Sequence, residues 1–227
     1  MRHAVYFAPA PGTPFHDLGS RWIGRDAFTG EPLHQPDVAG IGVVTGDPRR
    51  YGFHATLKPP FTLREPLASE ALLRAVAALA AGQESVSVRL KVTVIDRFVA
   101  LVPQEYSLTL QRLADRVVRE LDGFRRPPSP EELARRRQSS LSTRQEQHLA
   151  DWGYPHVFED FRFHMTLTER LPAAYVERYM AAAEAHFATV LEEAVVIDGL
   201  TLFEEVTNGS AFFATRHFPF SALPAEV

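Results

Sequence analysis

Two pentapeptides in this sequence are near copies of each other. Phe53-His54-Ala55-Thr56-Leu57 and Phe163-His164-Met165-Thr166-Leu167 agree at four of five positions. A single His-x-Thr is expected by chance about 0.6 times in a chain of this composition, so one copy carries no weight and two framed copies do. An unperturbed imidazole pKa of ~6.5 lets one histidine be neutral while another is protonated near neutrality. The neutral ring can take a proton from an attacking water, and the protonated ring can give one to a leaving oxygen. That is general acid–base catalysis of phosphodiester hydrolysis, and it needs no metal. Threonine hydroxyls beside the rings would hydrogen-bond the non-bridging oxygens as charge builds on pentavalent phosphorus. His54, His164, Thr56 and Thr166 are therefore the candidate catalytic residues. The sequence does not say which histidine is the acid.

Strands are the elements that could present such pairs. Side chains alternate across a sheet, so on a strand over Tyr51–Lys58 His54 and Thr56 share a face, and Phe53, Ala55 and Leu57 point the other way into a core. The same holds for a strand over Arg162–Thr168. Continuing the alternation puts Lys58 on the His54 face and Arg162 on the His164 face, where either could neutralise phosphate, Arg162 with bidentate geometry. Tyr51, Tyr154 and Trp152 read as packing residues, with Tyr51 and Tyr154 also carried as substrate-binding candidates that could stack on a base or sugar. Arg135, Arg136 and Arg137 read as a solvated helix face, in a segment that could also cover the cleft as a lid.

The order of elements repeats. Each motif is followed by a helix (Ser69–Ala81, with Ser69 as cap, and Pro172–Thr189), then an alternating strand (Val86–Ile95 and Val195–Phe203), then a shorter one (Phe98–Val102 and Ala211–Arg216). The last two are joined by a turn at Asn208-Gly209. A helix from about Gln104 to Leu121 follows the first set, and the polar, helical segment Pro130–Trp152 after it has no counterpart in the other half. Diverged duplication predicts an α+β fold, a single bilobal domain over residues 1–227 with pseudo-twofold lobes and residues 123–153 as an insertion.

Composition sets bounds. Hydrophobic residues make up 45% and charged residues 23% of 227, the balance of a globular protein. The net charge of −4 disfavours binding to long nucleic acid. With no cysteine, disulfides, thiolate metal sites and cysteine nucleophiles are excluded. No His-Glu-x-x-His occurs, and only His156 and His164 approach ligand spacing, so neither a metal nor a cofactor is expected. The apolar stretch Ala4–Ala8 ends at Pro9, too short for a signal peptide, and no window is long enough to span a bilayer. The expected setting is cytoplasmic, the expected partner a small phosphate ester, and the oligomeric state is unread.

Paired His-x-Thr motifs in a duplicated α+β chain resemble the two-histidine (2H) phosphoesterase superfamily. Trp22-Ile23-Gly24-Arg25-Asp26, Tyr51 through Phe61, Trp152-Gly153-Tyr154-Pro155 and Phe161 through Thr168 further resemble a subfamily encoded in bacterial phosphonate-utilisation operons. The resemblance runs over nearly the whole chain. It implies a two-lobed 2H fold, antiparallel sheets forming a central cleft with helices outside, and a cyclic phosphate such as a phosphoribosyl cyclic phosphate as substrate. Other readings compete with a metal-independent cyclic phosphodiesterase. One is a phosphate- or RNA-binding protein without turnover, another an RNA 2′,3′-cyclic phosphodiesterase or ligase, and a third a metal-dependent hydrolase.

Overall fold

Strand β1 (Arg2–Phe7) sets the layering of the molecule. Val5 and Phe7 belong to one buried apolar cluster, and Ala4 and Tyr6, with Ala8 just beyond the strand, to another on the opposite face. The computed structural model describes residues 1–137 and 140–222. After β1 come helix α1 (Pro14–Ile23), the short helices α2 (Ile41–Val44) and α3 (Gly46–Tyr51), strand β2 (Ala55–Phe61) and helix α4 (Ser69–Ala81). Strands β3 (Val86–Val88), β4 (Leu90–Ile95) and β5 (Phe98–Pro103) lead to helices α5 (Leu108–Leu121), α6 (Pro130–Arg136) and α7 (Thr143–Trp152). The chain continues through β6 (Met165–Thr166), α8 (Ala173–Leu191), β7 (Val195–Ile197), β8 (Gly199–Glu205) and β9 (Phe213–Pro219).

Seven strands form one sheet in the order β4-β5-β6-β2-β1-β8-β9, while β3 and β7 pair apart as a two-stranded sheet. Every recorded pairing is antiparallel. The middle of the large sheet is the pair Ala55↔Met165, the central residues of the two motifs. The small sheet pairs Val86↔Ile197, Ser87↔Val196 and Val88↔Val195, so it too is centred on equivalent residues. The chain therefore reads β1-β2-α4-β3-β4 and then β5-β6-α8-β7-β8. β4 pairs with β5, and β8 with β1, so the outer strand of each flank is supplied by the other half.

This order revises the repeat read from the sequence. Each long alternating strand is two strands in different sheets, broken at Arg89 and at Asp198. By sheet position β5 matches β1 and opens the second unit, and β9 is an added edge strand. The motif strands are also shorter than expected. Tyr51 closes α3, His54 lies just before β2, and His164 just before β6, whose pairing partners reach only Met165 and Thr166.

One face of the sheet is covered by α4, α5 and α8. Helix α5 buries Leu110, Leu113, Ala114, Val117, Val118 and Leu121, an i, i+3, i+4, i+7 stripe, with Ser107 accepting from the Leu110 amide at its start. That cap, not Gln104, begins the helix. α4 starts as expected at Ser69, but Ala68 holds the cap position and gives no side-chain bond. In the insertion, Ser129 with Glu132 and Ser142 with Gln145 form capping boxes that start α6 and α7. Gln138 and Ser139 between them lie outside the described residues. Among the described residues no helix is long and apolar enough to cross a membrane.

Trp22 joins α1 to the second motif. It is fully buried, its Nε1 donates to the Leu167 carbonyl at 2.9 Å, and its ring contacts His186 and Phe187. Trp22→Ala removes that volume and leaves a buried carbonyl unpaired; a loss of about 3–5 kcal/mol is expected in urea unfolding.

Candidate active site

The candidate site lies on the sheet face opposite the helices. His54, Thr56, His164 and Thr166 all line one cleft of ≈ 950 Å³, together with Tyr6, Tyr51, Tyr154 and Phe98. A side branch of ≈ 550 Å³, lined by Arg162, His156 and Arg170, meets it at Thr56 and His164. Phe53 and Phe163 point the other way into the core, at 3% and 5% exposure.

Both rings are held alike. Nδ1 of His54 is 2.9 Å from the Gly52 carbonyl, and Nδ1 of His164 is 2.7 Å from the Arg162 carbonyl. A carbonyl only accepts, so each Nδ1 carries the proton and each Nε2 is the nitrogen left to act. In His54 that Nε2 lies 3.2 Å from the Thr56 hydroxyl, which donates to it. Gly52 supplies its carbonyl from φ 82, ψ −179, a conformation open to glycine. A Cβ there would come within 2.5 Å of the Ala27 Cβ.

The surroundings of the two rings differ. Tyr6, fully buried, stacks on His54 at 4.0 Å between centroids and 28° between planes, and Tyr51 and Phe203 each lie 6.0 Å away. Burial pushes the His54 pKa down to about 4, against the Gly52 carbonyl, which favours the cation; the nearby His164 adds to the depression. His164 has Phe98 tilted at 5.8 Å and is half-buried. Its pKa is also lowered, by burial first and then by Arg162, against the Arg162 carbonyl.

Lys58 is a correction. It does not line the cleft; its Nζ is buried beneath α5, 3.3 Å from the Val118 carbonyl and 3.3 Å from Asp122. The cause is a bulge. Tyr6 pairs with Thr56 and Val5 with Lys58, so two residues of β2 face one of β1 and the alternation slips. Burial pulls Lys58 down to about 8, and Asp122 opposes the shift. Arg162 is exposed beside His164, where alternation places it. Tyr51 stacks on Phe212 and Tyr154 lies under Arg136, and both line the cleft. Of the three consecutive arginines, Arg137 pairs with Glu146 in the surface, but Arg135 and Arg136 line the cleft.

Three parts of the site escaped the sequence. Tyr6 carries no motif, and only its pairing opposite Thr56 places it under His54. The Gly52 carbonyl is invisible as a side chain, though a glycine two residues before a key histidine is a usable signal. Arg2 and Arg50 also face the cleft, both paired to the buried Glu205. Burial alone would raise that carboxyl, yet the two guanidiniums and the Gly209 amide hold it at about 2. Among the described residues no group of three or more His, Cys, Asp or Glu is placed to hold a metal ion.

Comparison with known proteins gives the family of the chain. Residues 56–213 match the family described as "Protein of unknown function (DUF1045)", and the chain belongs to that family. It is 38% identical over 97% of its length to a protein of Janthinobacterium sp. (strain Marseille) named ribose 1,5-bisphosphate phosphokinase PhnN. It is 35% identical over 95% of its length to a protein of the same name from Laribacter hongkongensis (strain HLHK9). In both cases the chain spans about half of the relative, 51%. Similar solved structures include a phosphoesterase (TM-score 0.43, 11% identity, covering 97% of this chain and 99% of that one). Another is E. coli LigT complexed with 3′-AMP (TM-score 0.44, 14% identity, covering 97% and 98%).

The electrostatics set expectations for titration by NMR. His54 should titrate near 4, and His164→Ala should move it upward, because a neighbouring positive charge is gone. A depressed histidine makes the unfolded chain the better proton acceptor, so stability should fall as pH drops from 6.5 toward about 4. Gly52→Ala should cost about 1–3 kcal/mol through its positive φ and displace the carbonyl that orients His54.

Proposed function

We propose that this member of the DUF1045 family is a metal-independent phosphoesterase that hydrolyses a small, cyclic phosphodiester. The observation that carries the reading is the pair of imidazoles with Nδ1 tied to backbone carbonyls and Nε2 left to one cleft. The difference between the rings supports a division of roles. His54, the more depressed, is the general base, and His164 the general acid.

With substrate bound, the Nε2 of neutral His54 accepts a proton from a water whose oxygen forms a bond to phosphorus. The bond from phosphorus to the leaving oxygen breaks, and the Nε2 proton of His164 passes to that oxygen. The ring opens to a phosphomonoester with a free hydroxyl, and solvent returns each histidine to its starting state. The Thr56 hydroxyl, released from Nε2, and the Thr166 hydroxyl donate to the non-bridging oxygens. The anionic substrate favours the protonated form of His164, and so its role as acid. The operon resemblance and the sugar bisphosphate in the relatives' name favour a phosphorylated sugar as substrate, with a role in phosphonate metabolism.

The test is a panel of nucleoside 2′,3′-cyclic, 3′,5′-cyclic and ribose cyclic phosphates, assayed with EDTA present. Hydrolysis of at least one is expected, with kcat/KM bell-shaped in pH and its maximum between about 4 and 6.5. His54→Ala and His164→Ala should each lower the rate by about 10²–10⁴-fold, and the double variant by little more. Binding without turnover of any member, unchanged in both variants, would leave a binding protein. Activity lost to EDTA and restored by zinc would leave a metalloenzyme.

A further inference from the structure

The geometry points to a second anion site in the cleft, formed by Arg136 and Arg135 of α6 against Tyr154, so that the substrate is a phosphodiester bearing an additional phosphate. This rests on the phosphodiesterase reading and narrows its substrate class.

Arg136 is half-buried, with its guanidinium 5.1 Å from the centre of the Tyr154 ring, and both residues line the cleft. Among the described residues no carboxylate lies within ion-pair distance of it. Glu132, one turn earlier on α6, is taken: it accepts from the Ser129 amide at 2.7 Å and pairs with Arg126 at 3.4 Å. Three of the arginines nearby are matched, Arg2 and Arg50 by Glu205 and Arg137 by Glu146. Removing a guanidinium from water without a paired counter-ion is costly; burial first, then Arg135 and Arg2, pulls Arg136 below its ordinary pKa, against Tyr154 and the more distant Glu132. A phosphate dianion would relieve that cost through bidentate hydrogen bonds.

The site is distinct from the reacting phosphorus. The charges that depress the two imidazoles are His164 for His54 and Arg162 for His164. Arg162 belongs to the side branch, which Arg135 and Arg136 do not line. A scissile diester carries a single charge, whereas of the five arginines lining the main cleft Arg2 and Arg50 share the one carboxylate of Glu205 and Arg170 pairs with Asp96, which leaves Arg135 and Arg136 as an excess without a carboxylate in ion-pair distance among the described residues. That excess sits on a chain whose net charge is −4, so it is a local feature that focuses field on an anion. Arg136 projects from α6, in the insertion that lacks a counterpart in the other half.

Calorimetric binding of adenosine 3′,5′-bisphosphate and adenosine 3′-monophosphate tests the site, with hydrolysis of 2′,3′-cyclic AMP assayed alongside. The wild type should bind the bisphosphate more tightly. Arg136→Ala should reduce that preference by about tenfold or more, with Arg135→Ala acting in the same direction and Arg136→Lys retaining part. Arg137→Ala, on the surface, should keep the preference. Equal affinity of the wild type for the two ligands overturns the proposal. So does a loss in Arg136→Ala that is the same for both, since the guanidinium would then serve the scissile phosphate or the fold. A preference that follows Arg136 in a protein without hydrolysis removes the catalytic reading and supports the anion site. Hydrolysis with no preference removes the anion site alone.

Discussion

A single pairing of residues, Ala55 with Met165 in the middle of a seven-stranded sheet, governs the arrangement of this site. Because the strands run antiparallel and pair at the centre of each motif, His54 and Thr56 meet His164 and Thr166 on one face. The apolar members go to the opposite face, where Phe53, Ala55, Leu57, Phe163, Met165 and Leu167 join the core under α4, α5 and α8. A slip of one residue would invert both sets. The pairing is short, and its neighbours hold it. β1 and β5 flank the two motif strands, and their outer partners come from the opposite half of the chain. Each half thus supplies a strand that fixes the other's motif.

Symmetry delivers the pair of imidazoles, and departures from symmetry give the two rings different surroundings. The carbonyl holding Nδ1 recurs in both halves, so both rings present the same nitrogen. Tyr6 stacks on His54, while the matching position in β5 is Ala100, opposite Thr166. The ring over the aromatic floor is the more costly to protonate, and the ring beside Phe98 is less enclosed. The insertion acts on one side only, bringing α6 over Tyr154. Equivalent strands therefore make a site whose two rings differ in their surroundings, as the proposed base and acid require.

The sequence made the fold class and the main catalytic candidates legible because both rest on repetition. Two motifs followed by helix and strand at matching distances are visible without coordinates. Side-chain direction was legible for His54, Thr56, His164, Thr166 and Arg162, where alternation holds, and failed at Lys58, where a bulge adds one residue. Nothing in the residues Leu57 and Lys58 announces that slip; it arises from how β1 pairs across it. The division of each long strand between two sheets, and the exchange of outer strands between halves, depend on long-range pairing that local pattern does not encode. The cleft-lining positions of Arg135 and Arg136 were hidden for a related reason, since a run of arginines on a polar helix looks the same whether it meets solvent or a cleft.

Two imidazoles that flank one phosphorus atom should also flank a mimic of its transition state. The most direct measurement is a crystal structure of the protein with vanadate, which adopts the trigonal-bipyramidal geometry of the reacting phosphate. The expected result is one vanadate between the motifs, with an apical oxygen within hydrogen-bond distance of Nε2 of His54 and the other within that distance of Nε2 of His164. Vanadate bound away from the motifs, or held with both rings on the same side of the metal, would contradict the account.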